Sequence, residues 1–263
     1  MDYLSVIKHP IESDFQEFVY RFQSSLSHSY GLLSQALEHI RQRTGKQMRP
    51  MLTLLSAKNY GEVSDVTLDA AVSLELLHTA SLIHDDVVDE SSERRGQSSV
   101  NASYNNKVAV LVGDYILSIC LSYVAKTKDH RVLQYVADLG MTLASGELLQ
   151  MQNINNAEFS EDVYYQVIRQ KTAALFETCC GLGSLSVNAS EEEIKKAKQF
   201  GQDLGMIFQI GHISLLEFWF DARIDISLGL LRVSLHHPFS ILDTPTLLGK
   251  LHRHSDFIGI DRA

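Results

Sequence analysis

"LELLHTASLIHDDVVDESSERRG", residues 74–96, joins an apolar approach to a knot of carboxylates and then to two adjacent arginines. Helical spacing accounts for the first part: its apolar residues wrap most of the circumference, as in a helix buried on several sides. On such a helix Asp85 and Asp89 stand one turn apart on one face, and Asp86 lies about 100° round from Asp85. Three carboxylates so close raise one another's pKa unless cations come between them. Hard oxygen ligands at this density suit Mg²⁺, which keeps several waters and bridges a few carboxylates to a substrate's phosphates. An acidic cluster can then attract a diphosphate through metal ions, with Arg94 and Arg95 completing a clamp from the other end. The competing explanation is a solvated acidic helix end with surface arginines. The apolar approach weighs against it, because these acids close a buried helix and do not run along an exposed one.

Outward from this stretch the chain continues to favour helices. Up to residue 210 it holds only two prolines, Pro10 and Pro50, and long segments lack glycine, which suits long helices better than a sheet with many turns. Phe15, Phe18, Phe22, Leu26 and then Leu32, Leu33, Leu37, Ile40 recur at helical spacing from Asp14 to about Arg43. "RTGKQMRP", residues 43–50, breaks that pattern: Gly45 can end a helix and Pro50 suits the first turn of the next. Further helices are expected through "MLTLLSAKN", from about Val66 to Ser91, and through "NNKVAVLVGDYILSICLSYVA". Others follow from Asp129 through "GELLQMQN", and through "SEDVYYQVIRQKTAALFETCCGLGSL" after a polar loop. Ser190 and Glu193 form a capping-box pair that opens one more. The pattern predicts an all-α protein.

At 263 residues and 45% hydrophobic content the chain can bury a proper core. Its net charge of −9 argues against nucleic-acid binding, which needs clustered basic surface. An anionic ligand must therefore be held by local cations or by metals. Cys120, Cys179 and Cys180 have no metal-ligand spacing, and an odd count without a signal sequence fits a reducing cytosol, so a cytoplasmic location is expected. No uninterrupted apolar run reaches the length of a membrane span, which predicts a soluble or at most peripheral protein.

Other cations fall at positions able to face a common cavity: Lys46 and Arg49 in "GKQMRP", His78 two helical turns before Asp85, and Lys171. Singly each has an ordinary explanation, as surface charge, core histidine or snorkelling lysine. In this order they are specific. The sequence resembles the trans-isoprenyl diphosphate synthases, the family that makes farnesyl, geranylgeranyl and longer polyprenyl diphosphates. The resemblance runs from about residue 30 to residue 210, on "GKQMRP", residues 74–96, "AVLVGDYILS", "GELLQM", "KTAALFE" and "GMIFQI".

The resemblance implies an antiparallel bundle of long helices around a deep central cavity, with the acidic motif at its mouth, and a homodimer. Asp85, Asp86 and Asp89 look like the first aspartate-rich motif, holding Mg²⁺ on an allylic diphosphate with Arg94 assisting. Lys46, Arg49, His78 and Arg95 look like the pocket for isopentenyl diphosphate. Lys171 and Thr172 match the family's Lys-Thr pair near the allylic diphosphate, and Gln209 its Phe-Gln pair. The implied catalytic set is Asp85, Asp86, Asp89, Arg94 and Lys171. Product length in the family is limited just before the first aspartates, and the small Ala80 and Ser81 there predict a long all-trans polyprenyl chain. Such a product is nearly insoluble, so transient membrane contact is expected.

Past Ile210 the chain departs from the family. The second aspartate-rich motif should follow "FQI" almost at once; here Asp221 and Asp225 arrive late and lack the paired aspartate. Residues 211–263 hold the only tryptophan and five of the eleven histidines. They are set apart as a divergent tail to the helical domain 1–210. A reading-frame change near codon 211 explains the break: "RVSLHHP", residues 232–238, can be encoded so that a shifted frame reads Gly-Lys-Leu-Thr-Ser-Pro, a segment like one the family carries downstream. His252 and His254, two residues apart, have poor helical geometry for a shared ligand. Two other functions compete with chain elongation. One is a non-catalytic partner or regulatory subunit that keeps the fold without the second metal site. The other is a class I terpene cyclase, whose later metal motif is missing here.

Overall fold

The protein is described from a computed structural model that places the backbone of residues 3–42, 45, 47–94, 96–153 and 160–227, and the side chains of those between 5 and 210. It is all-α, as the sequence predicts. After α1 (Tyr3–Lys8) and a 3₁₀ turn come α2 (Glu12–Ser25), α3 (Gly31–Arg41) and α4 (Met48–Tyr60). Next are α5 (Asp65–Val88), the two-residue strands β1 (Glu93–Arg94) and β2 (Gln97–Ser98), and the single turn α6 (Val100–Ser103). The remainder is α7 (Asn106–Thr127), α8 (His130–Asn153), α9 (Glu161–Ile168), a π-helical turn (Arg169–Ala173), α10 (Ala174–Ser186) and α11 (Glu191–Ser227).

Side-chain caps fix where these helices begin. Ser64 Oγ accepts from the Thr67 amide while Thr67 Oγ1 accepts from the Ser64 amide, a reciprocal box at the start of α5. Asn105 caps α7 through the Val108 amide at 3.0 Å, and Asp129 opens α8 by accepting from the Arg131 amide at 2.9 Å. Ser190 and Glu193 make the expected box at α11, with the Ser190 amide donating to Glu193 Oε2 at 2.8 Å.

The centre of the bundle is α5, which buries Leu68, Ala71, Val72, Leu74, Leu76 and Ala80, among others. It pairs most extensively with α7, while α4 packs on α10 and α10 on α11. The three cysteines are buried and free, and burial pushes each thiol up to about 12, so they act as small core residues.

Three expectations change. The pattern expected from Asp14 to Arg43 is two helices, because the chain turns between Leu26 and Gly31, where Gly31 takes φ +80°. Although no apolar run is uninterrupted, α5 and α7 are each long and apolar enough to cross a membrane, since Ser, Thr, His and Gly interrupt them in place of many charges. For α5 the explanation is burial in the bundle. Finally, helical backbone continues across residue 210 to Ser227, carrying Asp221 and Asp225; residues 228–263, with His252 and His254, lie outside the described residues.

Candidate active site

The end of α5 distributes its three aspartates in two directions. Asp86 is buried and accepts from Arg94 Nε at 2.6 Å. Arg94 is brought there by the hairpin β1–β2, whose turn uses Gly96 at φ +76°, a conformation suited to glycine. The fold-back is pinned by Asn101 Nδ2, which donates to the carbonyls of Asp86 (3.1 Å) and Ser91 (3.0 Å), and by Ser99 Oγ on Ser91 O (2.7 Å). Asp86 and Arg94 thereby close one side of a cavity of about 70 Å³, which His78, Glu75, Gln47 and Arg41 also line.

Asp85 and Asp89 lie within electrostatic reach of Glu147 on α8 and Lys171 on the π turn. Lys171 sits on that turn, ion-paired with Glu147 of α8 and donating to Gln150 Oε1 at 2.9 Å. Glycine makes the approach close enough. A Cβ on Gly146 would stand 2.8 Å from Gln170 Cβ and 3.2 Å from Lys171 Cγ, so any larger residue would lift α8 off the turn. The same device brings in α11: a Cβ on Gly205 would meet Ala173 Cα at 2.6 Å, and one on Gly201 the Phe176 carbonyl at 2.5 Å. One turn beyond Gly205, Gln209 Oε1 accepts from Thr172 Oγ1 at 3.1 Å. A π turn widens the helix by a residue and is often found where side chains must be re-aimed at a site.

Charge at this face is unbalanced. Burial first, and the Glu147 carboxylate second, push the Asp85 carboxyl up to about 6, against the weaker pull of Lys171 and Arg94. Asp89 is raised by the same two causes. A divalent cation would offset that excess, so the residues present fit one: Asp85 and Asp89 share a face and offer hard oxygens, as Mg²⁺ requires. Among the described residues no three His, Cys, Asp or Glu side chains form a closed metal cage. An Mg²⁺ that keeps waters and substrate oxygens needs none.

The structure thus brings the charges of Lys171 and Glu147 to bear on Asp85 and Asp89, joins Thr172 to Gln209, and gathers Asp86, Arg94 and His78 around one cavity, with Arg94 acting on Asp85 and Asp89 as well. Arg49 opens α4 and lies close enough to Cys179 for its charge to reach the thiol, as does Glu75. Lys46 and Arg95 lie outside the described residues. Ala80 is buried, and Ser81, one turn before Asp85, donates its hydroxyl to the His78 carbonyl at 2.9 Å. Sequence reasoning missed Glu147, Gln150 and Glu75 as site residues. Glu147 and Gln150 stand in the quoted "GELLQM" at i,i+3 spacing, which places them on one helix face; only the fold says what that face meets.

The sequence profile described as Polyprenyl synthetase matches residues 31–211. The octaprenyl diphosphate synthase of Haemophilus influenzae is 36% identical over 199 residues, which make up 76% of this chain and 60% of that protein. Heptaprenyl diphosphate synthase component 2 of Geobacillus stearothermophilus is 35% identical over 72% of this chain and 59% of its own length. Among solved structures, a geranylgeranyl pyrophosphate synthase from Bacteroides thetaiotaomicron superposes with a TM-score of 0.68 at 46% identity, covering 81% of this chain and 64% of that one. The chain therefore spans about three-fifths of the length of these relatives.

Proposed function

Since the chain belongs to the polyprenyl synthetase family, we propose that it condenses isopentenyl diphosphate with an allylic diphosphate to give a long-chain all-trans polyprenyl diphosphate. One observation carries the reading: Lys171, held on α8 by Glu147 and Gln150, lies near enough to Asp85 and Asp89 at the end of α5 for its charge to act on both carboxyls. Groups from distant segments thus act on one another there, and Thr172, next to Lys171 in the chain, is hydrogen-bonded to Gln209.

In the reaction the allylic C–O bond breaks with its electron pair leaving on the diphosphate. The double bond of isopentenyl diphosphate then attacks the cation, and a proton is lost. Asp85 and Asp89 would hold Mg²⁺, which would supply charge stabilisation to the leaving diphosphate. Lys171 adds a positive charge at the same face and Thr172 a hydroxyl donor. Arg94 is held by Asp86 in the cavity that His78 lines, and this reading assigns isopentenyl diphosphate to that side, with the family resemblance adding Lys46, Arg49 and Arg95 as its further cations. The apolar interior of the bundle keeps water from the cation. Ala80 and Ser81, both small, favour a long product, in keeping with the octaprenyl relative.

Two apolar helix faces left exposed, on α7 and α8, support a homodimer. Buried free thiols suit a reducing, cytoplasmic setting. A second reading, a partner subunit without activity of its own, is favoured by the family match stopping at residue 211 and by a relative named as one component of a synthase. The family match also stops where the frame change was inferred, and resequencing of the coding DNA tests that: no frame restoring a family-like continuation sinks it.

The deciding assay incubates the purified chain with Mg²⁺, labelled isopentenyl diphosphate and farnesyl diphosphate, and sizes the extracted products. Long labelled chains that disappear in Asp85→Ala establish the synthase. No product, with allylic diphosphate still bound in the presence of Mg²⁺, establishes the partner reading.

A further inference from the structure

We propose that Glu147 and Gln150 are positioning residues for Lys171: they hold its ammonium on α8 until a metal-loaded diphosphate draws it off, so that anion binding becomes conditional on metal. The release step rests on the diphosphate reading above; the cradle itself does not.

The geometry is specific. Lys171 is ion-paired with Glu147 and donates to Gln150 Oε1 at 2.9 Å, and these two partners sit at i,i+3 on one face of α8. The Glu147 side chain is only 15% exposed, so its charge is poorly screened. Gly146 is what lets the two helices approach: the Lys171 amide nitrogen would stand 3.3 Å from a Cβ there. Both Asp85 and Asp89 feel Glu147 and Lys171 at once, so all four groups share one electrostatic neighbourhood.

Counting charge in that neighbourhood gives the function. A lysine left without Glu147 loses its ion pair and can meet an incoming anion whether or not metal is present. With Glu147 present the ammonium is satisfied elsewhere, and Asp85 and Asp89 stay open to a cation. Arg94 also acts on Asp85 and Asp89, and with its partner Asp86 counted, four carboxylates stand against two cations, which leaves the face net negative. A bare diphosphate is repelled. Once cations neutralise Asp85 and Asp89, the incoming diphosphate competes with Glu147 for Lys171 and gains an additional charge-assisted hydrogen bond. A cofactor-dependent change in affinity of this kind is typically about 5- to 150-fold.

The test uses the whole purified chain and two readouts. Trace acylation with an amine-selective reagent, followed by peptide mass spectrometry, reports how firmly Lys171 is held. Calorimetry with inorganic pyrophosphate, with and without Mg²⁺, reports anion binding. Glu147→Gln keeps shape and an acceptor oxygen while deleting the charge. It is expected to raise Lys171 acylation several-fold, and to strengthen metal-free pyrophosphate binding by about tenfold, narrowing the gap between the two conditions. A merely structural glutamate would instead weaken binding in both conditions. Gln150→Ala should raise acylation as well, with the metal gap intact. Unchanged Lys171 acylation in Glu147→Gln overturns the cradle. Raised acylation with no pyrophosphate bound by the wild type, even in Mg²⁺, overturns the diphosphate reading and with it the release step.

Discussion

Asp85 is where the cost of the site is concentrated. Its carboxyl, raised to about 6 by burial and by Glu147, is harder to ionise in the folded chain than in the unfolded one. Between about pH 4 and pH 6 the folded state therefore keeps a proton that the unfolded state has released, and stability falls as pH rises through that window. Above it Asp85 is ionised at a net loss. Asp85→Asn should accordingly melt higher than the wild type at pH 7 in the absence of metal, with the difference fading as pH drops toward 4. Added Mg²⁺ should raise the melting temperature of the wild type at pH 7 and leave the asparagine variant nearly unmoved. A variant that melts lower than the wild type at neutral pH would show that Asp85 is paid for within the protein. Asp86, one residue on, illustrates the contrast: more deeply buried, it has Arg94 at 2.6 Å as a partner.

At the scale of elements, the site depends on how closely two helices, α8 and α11, approach the π turn, and Gly146 and Gly205 set those distances. Gly205→Ala would drive a methyl into Ala173 Cα, a backbone contact that cannot swing away. The variant should lose about 1–3 kcal/mol in urea denaturation, the usual cost of overpacking. The Thr172–Gln209 hydrogen bond should loosen with it, raising KM for the allylic diphosphate more than it lowers kcat. Normal stability with normal KM would mean that α11 has room to shift. These elements were legible to different degrees. Caps and apolar periodicity announce α5, α7, α8 and α11 directly, because Ser64, Asn105, Asp129 and Ser190 act within four residues of themselves. The split of the first helical pattern at residues 26–30 was hidden because both halves are amphipathic. The partition of the aspartates was hidden for another reason: Asp85 and Asp86 have the same side chain, and only the hairpin that returns Arg94 tells them apart. Glu147 and Gln150 read as ordinary helix surface until Gly146 brings Lys171 to them. What the sequence could name was chemistry at α5; what it could not measure was the distance to α8.

For the molecule as a whole, exposed apolar residues occur on several helices, but those on α8 fall into line. On α8, Leu133, Met141, Leu148 and Met151 are exposed, Met141 and Leu148 at 61% each, with exposed Ala137 and Ala144 between them on the same stripe. On α7, Leu111 at 67% and Leu121 at 51% stand out with Val110. A chain with a net charge of −9 has enough charged residues to cover these helices, yet the stripe on α8 carries none of them. Contiguous apolar surface of this kind marks an interface, and alanines between larger residues permit close helix contact. A second copy of the chain is the simplest occupant, since a two-fold axis lets one stripe cover itself. Stable interfaces of this class bury on the order of 1,600 Å² in total, within reach of a helix of this length and its neighbour. Leu133→Glu with Met141→Glu places four carboxylates in such an interface and none near Glu147 or Lys171. In sedimentation velocity the wild type should run as a dimer and the double variant as a folded monomer with Lys171 acylation unaltered. A wild type that sediments as a monomer at micromolar concentration would leave the stripe to another partner and remove the homodimer from the reading.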